Sequence, residues 1–192
     1  GDDGIVVSSS PGSILHNNLA NNNNDGIIIG SSSNLIILNA NASSNRDTGI
    51  YVSDSNNVEI TDTRANYNGY GILASQGQGI HFFQSNNGLI QNSETNYNTM
   101  YGIHLANSDY ANVKQDVVGN NQGEADATGI YLSYSEFVNI TQNEINNNKR
   151  GITIWKSVGQ NRIESNNIRN NIDFGISLEE SPDSFVLVNY VE

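Results

Sequence analysis

Gly129-Ile130-Tyr131-Leu132-Ser133-Tyr134-Ser135-Glu136-Phe137-Val138-Asn139-Ile140-Thr141-Gln142-Asn143-Glu144-Ile145-Asn146-Asn147-Asn148-Lys149-Arg150 is one unit of a repeat, and its period decides the fold. Ile130 and Leu132 alternate with polar or amphipathic neighbours, as do Val138 and Ile140; a third apolar position follows at Ile145, and then an Asn-rich turn. Alternation at every second residue is the signature of β structure, and no stretch between the turns is long enough for an amphipathic helix. Three short strands and three turns therefore make up each unit.

The same opening recurs along the chain at Gly4-Ile5, Gly26-Ile27, Gly49-Ile50, Gly79-Ile80, Gly102-Ile103, Gly129-Ile130, Gly151-Ile152 and Gly175-Ile176, at spacings of 22, 23, 30, 23, 27, 22 and 24 residues. Six residues after each of these glycines stands a serine: Ser10, Ser32, Ser55, Ser85, Ser108, Ser135, Ser157 and Ser181. The serine rule settles the one ambiguous start: Gly71-Ile72 has Gly77 at that place, so Gly79 holds the register. The second apolar pair is read at Val58 and Ile60, Leu89, and Val138 and Ile140; the third position is read at Leu19, Ala65, Val118, Ile145 and Ile168. A unit this short cannot bury its own apolar face, so neighbours must stack. The expected fold is all-β: a single-stranded right-handed parallel β-helix of about eight coils, three short strands per coil, forming a single β-helix domain over residues 1–192. The stacked glycines are expected to serve as turn residues with positive φ. Asn66, Asn96 and Asn146 are expected to form side-chain ladders at the corners.

Composition limits what such a solenoid can do. The 192 residues carry a net charge of −12 with only 8 Lys and Arg, which excludes the basic stripe that phosphate backbones require, so no nucleic-acid partner is expected. Hydrophobic residues make up 36% of the chain, while Asn (34) and Gly (18) are abundant, which favours a solvated repeat protein. No apolar run is long enough for a membrane span. Cysteine is absent, which removes disulfides and thiolate metal sites. The sequence opens Gly-Asp-Asp-Gly and stops within a coil, with Val186, Val188 and Val191 in the last one. From this the chain is expected to be a segment of a longer protein or assembly, covered by further coils or stacked end to end on a neighbour.

The pattern Gly-Ile-x-Leu-x-x-Ser, followed by Ile-x-x-Asn steps, resembles the parallel β-helix repeat of NosD-like proteins and of the wider carbohydrate-binding and sugar-hydrolase β-helix group. It is similar also to Asn-rich arrays in cell-surface proteins of methanogenic archaea. The resemblance implies the β-helix fold and an extracellular or cell-surface setting. It does not bring a copper role with it, because the chain has one Met and no Cys. Nor does it bring the catalytic residues of the fold's enzymes. Clustered Asp ligands with an Arg base, as in pectate lyases, the close Asp pairs of polygalacturonases and the Asp-Pro-His-Glu motif of alginate epimerases have no counterpart in this sequence.

Alternation assigns chemistry to one face. With each Ile after Gly pointing inward, the next residue points out, and that column reads Val6, Ile28, Tyr51, His81, His104, Tyr131, Thr153, Ser177. Two residues further on are Phe83 and Trp155. Tyr51, His81, Phe83, His104, Tyr131 and Trp155 are thus expected on one sheet face, where aromatic surfaces with hydrogen-bonding rims suit sugar rings. The bland alternative is a row of residues that simply suit β positions. His81 and His104 stack one coil apart without an evident third metal ligand, and no catalytic residue or metal is assigned. Insertions at residues 71–78 and 122–126 interrupt the repeat at what should be the same corner, walling a site floored by His81, His104 and Tyr131, with Thr153 beyond the walls. Glu124 and Asp126 in the second insertion are candidate Ca2+ ligands, against the plainer reading that they keep the loop soluble. The leading functional expectation is a non-catalytic extracellular module of a cell-surface, filament or sheath-type protein that binds glycan. The alternative is a carbohydrate-active lyase, epimerase or hydrolase.

Replacing Ile103 with Asp places a carboxylate in the inward column and should destabilise the protein by about 3–5 kcal/mol, enough to unfold it. A chemical-denaturation midpoint equal to that of the parent would contradict the coil assignment.

Overall fold

The computed structural model describes residues 2–71, 77–123 and 126–192. It is a right-handed parallel β-helix of eight coils with three sides, and no described residue lies in a helix, so none crosses a membrane as one. The first side is an eight-stranded sheet formed by Ile5–Ser8, Ile27–Gly30, Ile50–Ser53, Gln78–Phe83, Tyr101–Ala106, Thr128–Ser133, Arg150–Trp155 and Phe174–Glu179 in that spatial order. All pairings are parallel, and the register is that of the glycine starts: Ile80 lies beside Ile103, and Ile103 beside Ile130. The second side is another eight-stranded sheet of three-residue strands, Ile14–His16 to Phe185–Leu187.

The third side changes along the axis. Its first rungs are single bridged residues, Leu19, Asn41, Arg64 and Glu94, and only from Val117–Gly119 onward do three- and two-residue strands form. The inward residue explains this. It is Ala20, Ala42, Ala65 and Thr95 in the first four coils, then Val118, Ile145, Ile168 and Val191. Alanine brings little β preference and little apolar area, and threonine little apolar area, whereas Val and Ile bring both.

The core is formed by the alternate positions of each strand. Ile27, Ile50, Ile80, Ile103, Ile130 and Ile152 are wholly buried, as are Ile29, Val52, Phe82, Leu105, Leu132 and Ile154 two residues on. Two apolar residues read as inward point out. Leu19 is 72% exposed and its neighbour Ala20 is buried. Leu89 pairs with Glu59 and Asn112 on the outer face, and Ile90 takes the core position. The cause at Leu89 is local. The preceding inward position, Val58 one coil earlier, is here Gly88, where a methyl group would lie 2.7 Å from the Phe82 ring. The glycine makes room for the largest side chain of the core, and the apolar pattern shifts around it.

The stacked glycines serve a different purpose from the one expected. None has positive φ; among the described residues only Gly12 and Gly69 do. What they provide is close approach: a Cβ on Gly26 would lie 2.5 Å from the Gly49 carbonyl oxygen, and one on Gly102 2.7 Å from that of Gly129. The left-handed conformation falls instead on the residue before each ladder serine. Ser9, Ser31, Asp54, Gln84, Asn107, Tyr134, Lys156 and Glu180 all have φ between 49° and 51°. Holding non-glycine residues there is unfavourable, and the serine that follows offsets it. Each serine hydroxyl donates to the carbonyl two residues earlier, as Ser108 does to Ala106 at 2.9 Å, and accepts the N–H of the serine one coil before, as Ser135 does from Ser108 at 2.9 Å. The ladder is unbroken from Ser10 to Ser181.

The asparagine ladder is also real but uses other residues. Asn96 N–H donates to Asn66 Oδ1 at 2.7 Å, yet the column is interrupted by Gly119, and the Asn146 amide turns back to Glu144. The continuous ladder runs through Asn23, Asn45, Asn68, Asn98, Asn121, Asn148 and Asn171, each backbone N–H donating to the next side-chain oxygen. A second column ends in Asn143, Asn166 and Asn189, whose amides also donate to the carbonyls of Val113, Ile140 and Ile163. Asp116 occupies this column one coil earlier. Its Oδ1 accepts from Ser93 N–H at 2.7 Å, but Oδ2, standing where its neighbours carry an NH2 group, is buried without a side-chain hydrogen-bond partner among the described residues.

Burial pushes the Asp116 carboxyl up to about 7, partly offset by backbone hydrogen bonds from Ser93 and Lys114. Because the folded value lies above the ordinary 3.8, the folded state holds the proton more tightly. Stability from this group is full at acid pH and is lost as pH rises from about 4 to about 7. Asp116→Asn restores the missing donor and should raise stability by about 1–3 kcal/mol at pH 8, while flattening the decline between pH 4 and 7. Urea midpoints of both proteins across that range test this, and a less stable Asn variant at pH 8 would contradict it.

Candidate functional site

The outward face of the first sheet is set by strand register. Tyr51, His81, His104, Tyr131, Thr153 and Ser177 occupy successive coils in one column. Four of them form an uninterrupted row. Ring centroids are 5.1 Å apart for Tyr51 and His81, 4.4 Å for the stacked imidazoles of His81 and His104, and 5.0 Å for His104 and Tyr131. Phe83 packs edge-on against His81 at 6.4 Å. Trp155 stands apart, because Ala106 and Ser133 separate it from Phe83 in their shared column. It packs instead against Tyr134 at 5.0 Å, with the Lys156 ammonium 4.5 Å from its ring centre. The six rings share a face, but they are not one strip.

Several contributors escape a reading by alternation. Counting back from Ile103 puts Tyr101 inside, yet its ring lies 4.9 Å from His104 and 4.8 Å from Tyr131 on the outer side. The strands extend past the glycine here, and the pairing skips it: Gln78 lies beside Tyr101, and Tyr101 beside Thr128. The strict two-residue period therefore fails at Gly102. The same break brings Gln78 Oε1 to 3.0 Å from His104 Nδ1, while Ser133 Oγ lies 3.1 Å from Nε2. Both nitrogens of His104 are thus engaged, and His81 Nε2 is buried without a partner among the described residues.

Burial sets the protonation of the row. It pushes His81 down to about 4 and, together with the neighbouring His81, holds His104 well below the usual imidazole value. Burial likewise pushes the phenols of Tyr51, Tyr101 and Tyr131 up. At neutral pH the row is uncharged: two neutral imidazoles between protonated tyrosines.

Two shallow clefts flank it. One is lined by Asp25, Thr48, Tyr51, Gln78 and His81. The other, of about 190 Å³, is lined by Tyr101, Asp126, Thr128, Tyr131, Arg150, Thr153, Trp155 and Glu179. Thr153, expected beyond the site, lies inside it and is 3% exposed. Arg150 is held by Asp126 at 3.0 Å and faces Asp173 at 3.7 Å. Of the two candidate Ca2+ ligands, Asp126 is engaged by that guanidinium, and Glu124 lies outside the described residues. The flanks of both insertions close on one residue: methyl groups on Gly69 and Gly77 would collide with the Thr99 hydroxyl, and one on Gly123 would lie 2.7 Å from the Thr99 carbonyl oxygen. The insertions thus leave the helix at the same corner, although residues 72–76 and 124–125 lie outside the described residues.

Depressed imidazole values make a signed expectation. Folding favours the neutral rings, so their contribution is full above the ordinary 6.5 and is lost as pH falls toward 4. Ring-proton chemical shifts of His81 and His104 should stay at their neutral positions through the ordinary imidazole range and move only as pH falls toward 4. Protonation of either ring near pH 6.5 would show that the row is open to water.

The chain matches the model described as periplasmic copper-binding protein (NosD) over residues 73–191, and that of the right-handed β-helix region over residues 1–78. No curated protein matches it in sequence. Among solved structures it is similar to the periplasmic alginate epimerase AlgG, with a TM-score of 0.87 at 16% identity over 98% of this chain and 47% of that one. It is also similar to the A-module of the mannuronan C-5 epimerase AlgE6 of Azotobacter vinelandii, with a TM-score of 0.79 at 18% identity over 98% and 55%. Pectate lyase Pel9A aligns with a TM-score of 0.56 at 14% identity over 90% and 51%. The chain thus spans about half the length of these proteins, and at such identities the likeness concerns the fold alone. The copper in the family's description does not fit the donors present. There is no Cys and a single Met, both nitrogens of His104 are engaged, and the described residues hold no group of three His, Asp or Glu able to share an ion. The match over more than half its length makes the chain a member of the NosD family of right-handed parallel β-helix repeat proteins.

Proposed function

We propose that this chain is a non-catalytic extracellular or cell-surface β-helix module that holds a polysaccharide along the outward face of its first sheet. The observation that carries the reading is the unbroken row Tyr51–His81–His104–Tyr131. Its rings follow one another at the coil spacing of about 4.8 Å, close to the length of one pyranose unit in an extended polysaccharide. The two imidazoles stack on each other and His104 is held by Gln78 and Ser133, so the surface offered to a ligand is the outer edge of the row, with the tyrosine rings and hydroxyls of Tyr51 and Tyr131 at its two ends. Three structural neighbours are named for polysaccharides, alginate, mannuronan and pectate, and AlgG and the family description are both named as periplasmic, which supports a setting outside the cytoplasm.

A carbohydrate-active enzyme is the second reading, favoured by the gathering of Arg150, Asp126, Tyr101 and Tyr131 around one cleft. The direction of the pKa shifts weighs against it. A general base must accept a proton near neutral pH, whereas these imidazoles are pushed down and these phenols up. Arg150 is already matched by carboxylates.

Tyr131→Ala and Trp155→Ala should leave the circular dichroism spectrum of the fold unchanged and each weaken glycan binding by about 1 kcal/mol or more, with loss in the double variant, as read on a glycan array. Failure of the parent to bind any glycan would overturn the proposal. Turnover of alginate or pectate by the parent, lost in Tyr131→Phe, would establish the enzyme reading in its place.

A further inference from the structure

The cleft beside Tyr131 carries information about which sugar the face takes. Thr153 lines it, is 97% buried by its 3% exposure, and its hydroxyl has no hydrogen-bond partner among the described residues. A buried hydroxyl left unpaired is unfavourable, and this one belongs to a residue that lies beside Tyr131 in register, two residues before Trp155, in the lining of the cleft. The charges around it are net negative: three carboxylates stand against Arg150 and the Lys156 ammonium, which is spent on the Trp155 ring 4.5 Å from its centre. Arg150 is the cleft's own cation, and two carboxylates, Asp126 and Asp173, already answer it. That leaves Glu179, which lies beside Trp155 in register and whose Oε1 accepts from the Ser177 hydroxyl at 3.1 Å. At the far end of the row, Asp25 brings another carboxylate to the cleft it shares with Tyr51 and His81.

We infer that, if the face binds polysaccharide as proposed above, the sugar over Tyr131 and Trp155 is an amino sugar with a free ammonium, drawn to Glu179, and that polyuronates are rejected. An ammonium pairs with the unmatched carboxylate and is attracted to the Tyr131 ring, the Trp155 face being held by Lys156. A uronate carboxylate would meet Glu179 with the guanidinium of Arg150 already taken, and like charges brought together at a partly desolvated site select against a ligand. The hydroxyls of such a sugar supply the partner that Thr153 lacks.

The test is isothermal titration of the full chain at about 0.15 M salt, where surface charges more than about 8 Å apart are largely screened. The probes are a glucosamine hexamer, its N-acetylated counterpart and a mannuronate hexamer. The glucosamine hexamer should bind at least tenfold more tightly than the mannuronate hexamer. Glu179→Gln should weaken glucosamine binding about fivefold or more and leave N-acetylglucosamine binding unchanged. Asp62→Asn removes the same charge at the corner between the other two sides and should change neither. Mannuronate binding as tight as glucosamine binding, lost in Tyr131→Ala, would overturn this inference and leave the glycan-binding reading intact. Equal losses in Glu179→Gln and Asp62→Asn would overturn it by showing diffuse attraction to an acidic surface. Binding of no probe, and of no other glycan, would overturn both.

Discussion

The coil-to-coil hydrogen bond at each corner is the constraint on which the rest of this structure depends. Parallel strands alone allow a neighbour to slip by two residues without exposing its apolar face. The serine ladder removes that freedom. Each hydroxyl is tied to its own coil through a carbonyl two residues back and to the preceding coil through a backbone N–H, so a coil out of register would leave buried groups unpaired. The residue before each serine is held in a left-handed conformation that few side chains favour. It is tolerated because the next residue makes two bonds that depend on it. The asparagine ladder from Asn23 to Asn171 applies the same logic at another corner, and its closeness to the glycine column leaves no space there for a Cβ.

Register fixed in this way turns sequence into surface. An outward residue in one coil lies beside its counterpart in the next whatever its side chain prefers, so a ring every coil becomes a row of rings. The 30- and 27-residue spacings do not disturb this, because the extra residues leave the helix at one corner, against Thr99, and the strands on either side resume the common register. A solenoid can therefore vary its loops and its outward face with little effect on the core.

Much of this was legible in the sequence, for a physical reason. Gly at the strand start, Ile after it and Ser six residues on are demanded by steric contact, burial and hydrogen bonding, so they recur. The face bearing Tyr51, His81, Phe83, His104, Tyr131 and Trp155 followed from alternation alone. What was not legible lies where the local rule is broken. Leu19 and Leu89 look like core residues, but Ala20 and Ile90 take the core positions. Tyr101 and Gln78 look inward, but the glycine that follows each turns the strand. The cleft around Thr153, Arg150 and Glu179 draws on residues from four successive strands of the first sheet whose individual positions carry no motif. The third side had a signal that could have been read: the change from Ala and Thr to the larger apolar Val and Ile after Thr95.

The central claim is that the outward face of the first sheet, and no other surface, meets the ligand. Backbone amide chemical shifts of the isotopically labelled chain, followed during titration with a binding oligosaccharide, test it most directly. The account predicts perturbations confined to the strands carrying Tyr51, His81, His104, Tyr131 and Trp155 and to the corner residues beside them. Perturbations centred instead on the groove lined by Asp62, Arg64, Glu94 and Gln115, between the other two sides, would contradict it.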